Sequence, residues 1–240
     1  MTEEPLPSVW ARRPKEQQPG LTTEQIVRAA LELLDEEGME QLSMRKLGAR
    51  LGAGATSLYR HVKNKDELIE LVVDVVYGEV EVPDVVGRDW RPAAEKTAHS
   101  VRAMILRHPW VGPVLGQAGL GPNVMRLSEK MLRVLIAAGF DAVEADQAMN
   151  AMLSYVIGIA VSETAYLAMV KRSGSVEKHL AVLLQHAIWE RTGEFPMIRA
   201  GFDAMKDRNP KKVRDENFDY GLQRVLDGLA ARAATVRFGQ

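Results

Sequence analysis

Apolar residues recur at helical spacing along most of the chain, and Gly and Pro residues separate the segments in which they do so. The first segment begins at Thr22, a candidate N-cap, and ends at Gly38. A second, short helix follows Ser43 and ends at Gly52, and a third covers residues 55–62. The pattern therefore predicts an all-α protein whose N-terminal part contains three helices.

The rest of the chain is also predicted to be helical, for a total of about nine to ten helices. The later helices are expected over residues 66–78, 89–108, 122–138, 142–170, 176–189 and 215–234, with a short helix from Trp110 and a segment 196–205 between them. We expect three parts: a disordered N-terminal arm over residues 1–21, a small domain over 22–67, and a large helical domain over 68–240. The longest uninterrupted apolar piece of the 142–170 helix is 155–161, far short of the roughly 20 residues of a membrane span.

The amino-acid composition excludes several kinds of functional site. The 240 residues include no Cys, which removes disulfides, thiolate metal sites and cysteine nucleophiles, and which suits the cytoplasm. The five His are scattered without a metal-ligand cluster, and no phosphate-binding Gly loop is present. The sequence predicts no cofactor, no bound metal and no membrane insertion.

The charge is balanced in sum and uneven in distribution. Lys and Arg number 31 against 32 Asp and Glu, which by itself argues against a nucleic-acid partner. Residues 41–65, however, contain six cations and no Asp or Glu, whereas residues 66–81 contain six acids and no Lys or Arg. A basic block of this kind is expected on a phosphate-binding surface, although six cations could also be an ordinary solvated face.

The basic block coincides with a helix-turn-helix pattern. Two short helices joined by a Gly-containing turn follow a longer first helix, and the second of such a pair can enter the major groove of DNA. Leu58 and Val62 share the inward face of this helix, which leaves Tyr59, Arg60 and His61 pointing away from it.

The run from Leu47 to Leu68 resembles the helix-turn-helix of the tetracycline-repressor (TetR) family. The specific part is Leu-Tyr-x-His-Val-x-Asn-Lys-x-x-Leu, which follows the first helix at the expected distance. The resemblance implies a ligand-responsive homodimer, most simply a repressor, whose two heads bind the halves of a palindromic double-stranded DNA operator. It also implies a C-terminal domain that dimerises and that binds a small-molecule effector, which releases the protein from DNA.

The resemblance also implies which residues contact DNA. Arg45 matches a position that can reach a base edge, Lys65 matches a phosphate clamp, and the third helix supplies base and backbone contacts. The predicted DNA-binding residues are Arg45, Ala55, Thr56, Ser57, Tyr59, Arg60, His61, Lys63 and Lys65. The basic residues Arg12, Arg13 and Lys15 are either a solvated tail or an arm that touches DNA.

The effector site is predicted from what is unusual in the large domain. Glu163 is the only charged residue between positions 149 and 170, so it is either paired, exposed at the dimer edge or the polar anchor of a cavity. The predicted ligand-binding residues are Met104, Trp110, Met125, Met152, Tyr155, Ile159, Glu163, Tyr166, His186 and Trp189, although any single Met is more simply a core residue. Val114 and Ser162 stand where the tetracycline repressor supplies a His and a Glu toward its magnesium-chelated drug. The sequence therefore favours a different effector, largely apolar with one or two polar groups.

Two alternatives remain at this level. The protein could be a helical ligand-binding protein or an enzyme that uses a Glu163 and His186 pair, or it could be a dimeric interaction module that has lost DNA binding. The prediction is that it is not an enzyme. The helices over 142–170 and 215–234 are expected to form the dimer, where Ala151, Gly158, Ala165, Gly221, Gly228 and Ala231 would permit close approach or simply serve helix packing.

Overall fold

The computed structural model describes residues 20–84, 89–174, 195–205 and 208–238, together with residues 177, 182, 183, 186 and 189–191. The predicted N-terminal arm lies outside the described residues except for its last two, and so does most of the helix predicted over 176–189.

Within these residues the chain is all-α, as the sequence predicts. The helices are α1 (Thr23–Glu37), α2 (Met44–Arg50), α3 (Ala55–Leu58), α4 (Lys65–Tyr77), α5 (Arg91–Arg107), α6 (Pro122–Ala138), α7 (Ala142–Ser173), α8 (Pro196–Met205) and α9 (Pro210–Phe238), with short 3₁₀ turns at Met39–Gln41 and Gly112–Ala118.

The first three helices form a small head that is fixed by local signals. Thr22 and Gln25 form a reciprocal capping box at the start of α1, with N to O distances of 2.9 and 3.2 Å. A Cβ on Gly48 would lie 2.7 Å from the carbonyl oxygen of Ala53, so only glycine lets α2 approach the turn before α3 this closely. Leu47 and Leu58 are fully buried between the helices of the head.

Two predicted helix boundaries are wrong. The third helix was expected to reach residue 62, but α3 ends at Leu58 and the chain continues as a turn through His61. The last helix was expected from residue 215, but α9 begins at Pro210. Proline suits a first helical position, and the Asn209 side chain accepts a hydrogen bond from the Lys212 backbone N at 3.1 Å, so the start signal was present five residues earlier.

Helix α4 joins the head to the body through a buried carboxylate. Oδ1 of Asp74 accepts hydrogen bonds from the backbone N of Asn123 at 2.9 Å and of Val124 at 3.1 Å, at the N-terminus of α6. Burial raises the pKa of Asp74, while these donors act in the opposite direction. A Cβ on Gly121 would overlap the Asp74 carboxylate, so α4 and the start of α6 meet where only glycine fits.

Helices α5, α6, α7 and α9 form the body. Its core contains Met104 of α5, Met131 of α6, Met152 of α7 and Phe218 of α9, each with at most 1% of its surface exposed. Helix α6 matches the prediction over 122–138, and Gly139 ends it with a φ of +108°.

One face of α7 is exposed among the residues that the structure describes. By length and composition this helix is apolar enough to cross a membrane, and only 11% of its most apolar window is buried. Ala151, Gly158 and Ala165 lie along the exposed face, and Gly228 and Ala231 are exposed on α9. A long, apolar, small-residue face of this kind is suited to packing against a second helical surface.

Candidate DNA interface and internal cavity

The residues of the third helix and its following turn that are predicted to contact DNA are exposed or half-buried. Thr56 and Arg60 are exposed, and Tyr59 has 51% of its surface exposed, whereas Leu58 and Val62 are buried beneath them. Ala55, Ser57 and His61 are half-buried at the margins of the same turn. The division between an inward apolar face and an outward polar face follows the sequence-based expectation.

The basic block of residues 41–65 carries less uncompensated positive charge than the sequence suggests. Lys46 forms an ion pair with Glu37, and Arg50 binds Glu36 with its two Nη atoms at 2.6 and 2.7 Å and Glu32 at 3.2 Å. Hydrogen bonding to Glu36 raises the pKa of Arg50 further above its usual range. Three acids of α1 therefore neutralise part of the basic block.

The remaining cations are available to a polyanion. Arg45, Arg60 and Lys63 are exposed, and none of them forms an ion pair with another residue that the structure describes. Lys65, at the first position of α4, donates to the carbonyl oxygen of Met39 at 3.3 Å. Lys65 is half-buried and opens α4, whose N-terminus favours an anion through the helix dipole.

The head and the body meet at a group of polar side chains on α1 and beyond α5. Oδ1 of Asp35 lies 2.7 Å from Nδ1 of His108 and accepts a hydrogen bond from Nε1 of Trp110 at 2.7 Å. The other ring nitrogen of His108 lies 3.2 Å from Glu79, which follows α4. His108 is 3% exposed, whereas Asp35 and Glu79 are partly open to solvent, so this contact is a partly buried polar link between the head and the body.

The body contains a cavity of about 440 Å³ between α5, α7 and α9. Its lining residues are His99, Arg102, Ala103, Leu106, Glu163, Leu167, Lys211, Arg214 and Asp215. Aliphatic and charged side chains are thus mixed on the wall, and the volume is in the range of small-molecule sites.

Glu163 is the centre of an ion-pair network on this wall. Nε and Nη2 of Arg102 donate to its two carboxylate oxygens at 2.9 and 3.0 Å, and Nε of Arg214 donates to Oε1 at 2.9 Å. Nη2 of Arg102 also contacts Asp215 at 2.8 Å, and Arg214 pairs with Glu177. Of the three possibilities left open by the sequence, Glu163 is therefore both paired and a wall residue of a cavity.

The other residues predicted to bind the effector lie elsewhere. Met104 and Met152 belong to the core, Ile159 packs against it, and Met125 is 57% exposed. Trp110 contacts Asp35, and Tyr155 donates to the carbonyl oxygen of Phe218 at 2.8 Å. Tyr166 lies 5.5 Å from the guanidinium of Arg214, and Trp189 lies under Arg199. His186 is exposed on the helical stretch after α7.

The sequence prediction missed the cationic wall. Arg102 lies 61 residues from Glu163 and 113 from Asp215 in the sequence, and Arg214 lies 51 residues from Glu163. Lys211 lies one helical turn before Asp215. One signal was present: Arg102 is the only charged residue among the apolar positions 101–106, as Glu163 is among positions 149–170. Matching the two lone charges of opposite sign would have predicted their contact.

The acid–base pair of the enzyme alternative is not formed. Nδ1 of His186 lies 3.7 Å from Glu190, and both of these side chains are about 70% exposed, whereas the Glu163 carboxylate is held by two arginines. The geometry that the enzyme alternative requires is therefore not found among the described residues.

Comparisons with known proteins agree with the fold and the head. Residues 26–72 match the family of bacterial regulatory proteins called tetR, and residues 82–233 match the tetracyclin repressor-like C-terminal domain. The chain is 37% identical to an HTH-type transcriptional regulator of Saccharopolyspora erythraea, over 94% of this chain and 92% of that protein. It is 34% identical to the HTH-type transcriptional repressor DrrR1 of Streptomyces coeruleorubidus, over 97% and 87%.

A solved structure with the same fold is that of the TetR family protein ActR of Streptomyces coelicolor in complex with (S)-DNPA. The TM-score is 0.73 at 30% identity, and the match covers 89% of this chain and 99% of ActR.

The helix-turn-helix head and the helical body together define a DNA-binding transcriptional regulator and not an enzyme. The chain belongs to the TetR family. The interaction-module alternative, which assumed loss of DNA binding, is not favoured, because the outward face of the head retains its polar and cationic side chains.

Proposed function

We propose that this protein is a homodimeric repressor that binds a palindromic operator and that leaves it when a small molecule enters the cavity of the body. The observation that carries the proposal is the outward face of the head, where Thr56, Tyr59 and Arg60 are exposed over a buried Leu58 and Val62. Arg can pair with guanine, and hydroxyl groups can bind either bases or phosphates.

The DNA contacts follow from the positions of these side chains. Arg45, Thr56, Ser57 and Arg60 are assigned to base edges and nearby phosphates, and Lys65 is assigned to a phosphate at the N-terminus of α4. The remaining contacts to the DNA backbone are assigned to Ala55, Tyr59, His61 and Lys63. A protein that binds operator DNA works in the cytoplasm of a bacterial cell, and the proposal therefore includes this location.

The exposed face of α7 supports the homodimer. The small residues of α7 and α9 allow two copies to approach closely, and a second copy would cover an apolar surface that the described residues leave exposed. A symmetric pair of heads also matches the two-fold symmetry of a palindrome.

The cavity and the repressor relatives support release by an effector. DrrR1 is named a repressor, and ActR is known in complexes with (S)-DNPA and with actinorhodin. In this chain the cavity residue Arg102 and the head contact His108 belong to one stretch of chain, six residues apart at the end of α5. A shift of α5 caused by a ligand would therefore reach Asp35 of the head directly.

The test is a fluorescence-anisotropy titration with labelled DNA from the region upstream of the protein's own gene, against a scrambled duplex of equal length. We expect saturable binding of two protomers per operator and at least about tenfold weaker binding to the scrambled duplex. Equal affinity for the two duplexes would contradict the proposal.

A further inference from the structure

Of the two carboxylates on the cavity wall, that of Asp215 is the one that a ligand can replace more easily. Glu163 is 8% exposed and is held from two sides, by Arg102 and by Arg214. Asp215 is different, because 37% of its side chain is exposed and it lies at the edge of the network. Losing its contacts would return the Asp215 carboxylate to water, whereas losing those of Glu163 would leave a buried charge.

Asp215 occupies a position that is built for an anion. Its Oδ1 accepts from Nη2 of Arg102 at 2.8 Å, and its Oδ2 accepts from Nζ of Lys211 at 2.6 Å. Partial burial opposes ionisation of Asp215, but hydrogen bonds from Lys211 and Arg102 outweigh it and lower its pKa. The two cations therefore favour a carboxylate between them.

The remaining wall is suited to an apolar group. Ala103 and Leu106 of α5 and Leu167 of α7 line the cavity, and the stems of the arginines add aliphatic surface. The guanidinium of Arg102 also lies 4.7 Å from the centre of the Phe218 ring, which fixes its plane at the cavity wall.

We propose that the effector is an apolar molecule with one carboxylate, and that this carboxylate replaces that of Asp215 on Arg102 and Lys211. The inference rests on the proposed function in that it assigns the cavity to the effector. Binding of this kind removes the bond between α5 and the first turns of α9 and substitutes a ligand bond. It also changes the earlier expectation of a largely apolar effector, because it adds a required negative charge.

The test uses three probes of nearly equal shape: 1-naphthylacetate, its neutral amide 1-naphthylacetamide, and the cation 1-naphthylmethylammonium. Isothermal titration calorimetry on the full chain without DNA measures each affinity. We expect naphthylacetate to bind at least about tenfold more tightly than the amide, because only the acid supplies charge-assisted hydrogen bonds, and the cation to bind most weakly.

Two variants test the position of the carboxylate. Lys211→Gln should weaken naphthylacetate binding about three- to tenfold, whereas Lys212→Gln, the next residue on the same helix and equally exposed, should leave it unchanged because Lys212 is not on the cavity wall. Asp215→Asn removes the competing charge and should tighten naphthylacetate binding several-fold, with little effect on the amide. Lys211→Gln and Asp215→Asn leave no buried charge without a partner, so both variants are expected to fold.

Several results would overturn the inference. Equal binding of acid and amide, preferential binding of the cation, weaker acid binding by Asp215→Asn, or no saturable binding of naphthylacetate up to about 10 mM would each do so. The operator titration in the absence of any probe is independent of these results. A protein that binds its operator but ignores the acid contradicts only the inference, and one that binds the acid but no operator contradicts only the proposed function.

Discussion

Nδ1 of His108 lies 2.7 Å from Oδ1 of Asp35, and this contact joins the body to the first helix of the head. Trp110 donates to the same oxygen, so one carboxylate holds two ring systems from the segment that follows α5. His108 and Trp110 are both buried, so the two rings are held at the junction of the head and the body.

The first prediction concerns this link. Asp35→Asn keeps the shape of the side chain but removes its charge, and the free energy of unfolding should fall by about 1–2 kcal/mol because two donors lose an ionised acceptor. Urea denaturation followed by tryptophan fluorescence measures the change. Glu40→Gln removes an equal charge from an exposed position of the head and serves as the control. Equal stability of the two variants would show that the link contributes nothing.

The second prediction separates two neighbouring cations. Arg45→Ala should weaken operator binding by about 1–3 kcal/mol, because Arg45 is exposed and makes no ion pair among the described residues. Lys46→Ala should cost clearly less, since Lys46 already pairs with Glu37. Anisotropy titrations measure the operator affinity of both variants. A larger loss of affinity for Lys46→Ala would mean that Lys46, and not Arg45, is the cation that contacts DNA.

The third prediction separates base recognition from phosphate binding. Arg60→Ala should cost about 1–3 kcal/mol on the operator and should relax the preference at one base pair, whereas Lys65→Ala should weaken the operator and scrambled DNA alike. Titrating both variants against a set of single-base operator changes tests this. If Arg60→Ala lost equal affinity on all duplexes, Arg60 would be a phosphate contact instead.

The fourth prediction concerns the junction of α4 and α6. Gly121→Ala should lower the free energy of unfolding by about 1–3 kcal/mol, because the added Cβ would push the Asp74 carboxylate off the N-terminus of α6. Gly116→Ala is the matched control, since a Cβ at that position meets nothing within 4 Å. Chemical denaturation measures both. Similar stability in the two variants would indicate that the junction rearranges without cost.

The fifth prediction tests the dimer face. Gly158 is exposed on α7 and has open space around it within one chain, so Gly158→Arg should fold but should shift the protein from dimer to monomer. Gly116→Arg, at an exposed position outside α7 and α9 where a Cβ meets nothing within 4 Å, should remain dimeric. Sedimentation velocity distinguishes the two species, and an unchanged dimer in Gly158→Arg would place the interface elsewhere.

Local signals made the fold predictable. Caps at Thr22 and Ser43 and a stop at Gly139 each act within a few residues, and the structure places helix ends at these positions. The extent of the third helix was not predictable in this way. Its inward positions are occupied by Leu58 and Val62 whether the backbone is helical or turning between them.

The ion pairs of the candidate sites could not be predicted, because their partners lie far apart in the sequence. The neutralisation of Arg50 depends on Glu36 and Glu32, which lie 14 and 18 residues earlier, and that of Glu163 depends on Arg102, 61 residues earlier. Tertiary packing brings these charges together, and helical periodicity carries no information about it. The cavity therefore differed from its predicted lining, although its central carboxylate was identified.

The pairing of Lys46 and Arg50 with the acids of α1 limits how strongly the DNA affinity of the protein should depend on salt concentration. In the proposed interface each head presents Arg45, Arg60, Lys63 and Lys65 to DNA, and only cations that reach phosphates displace the ions condensed on the duplex. Two heads would then release at most about seven monovalent ions per operator, which caps the slope of log affinity against log salt at about −7 for contacts made by the described residues. The two acid-paired cations serve the packing of the head, and the salt dependence should be correspondingly gentler than a count of basic residues suggests.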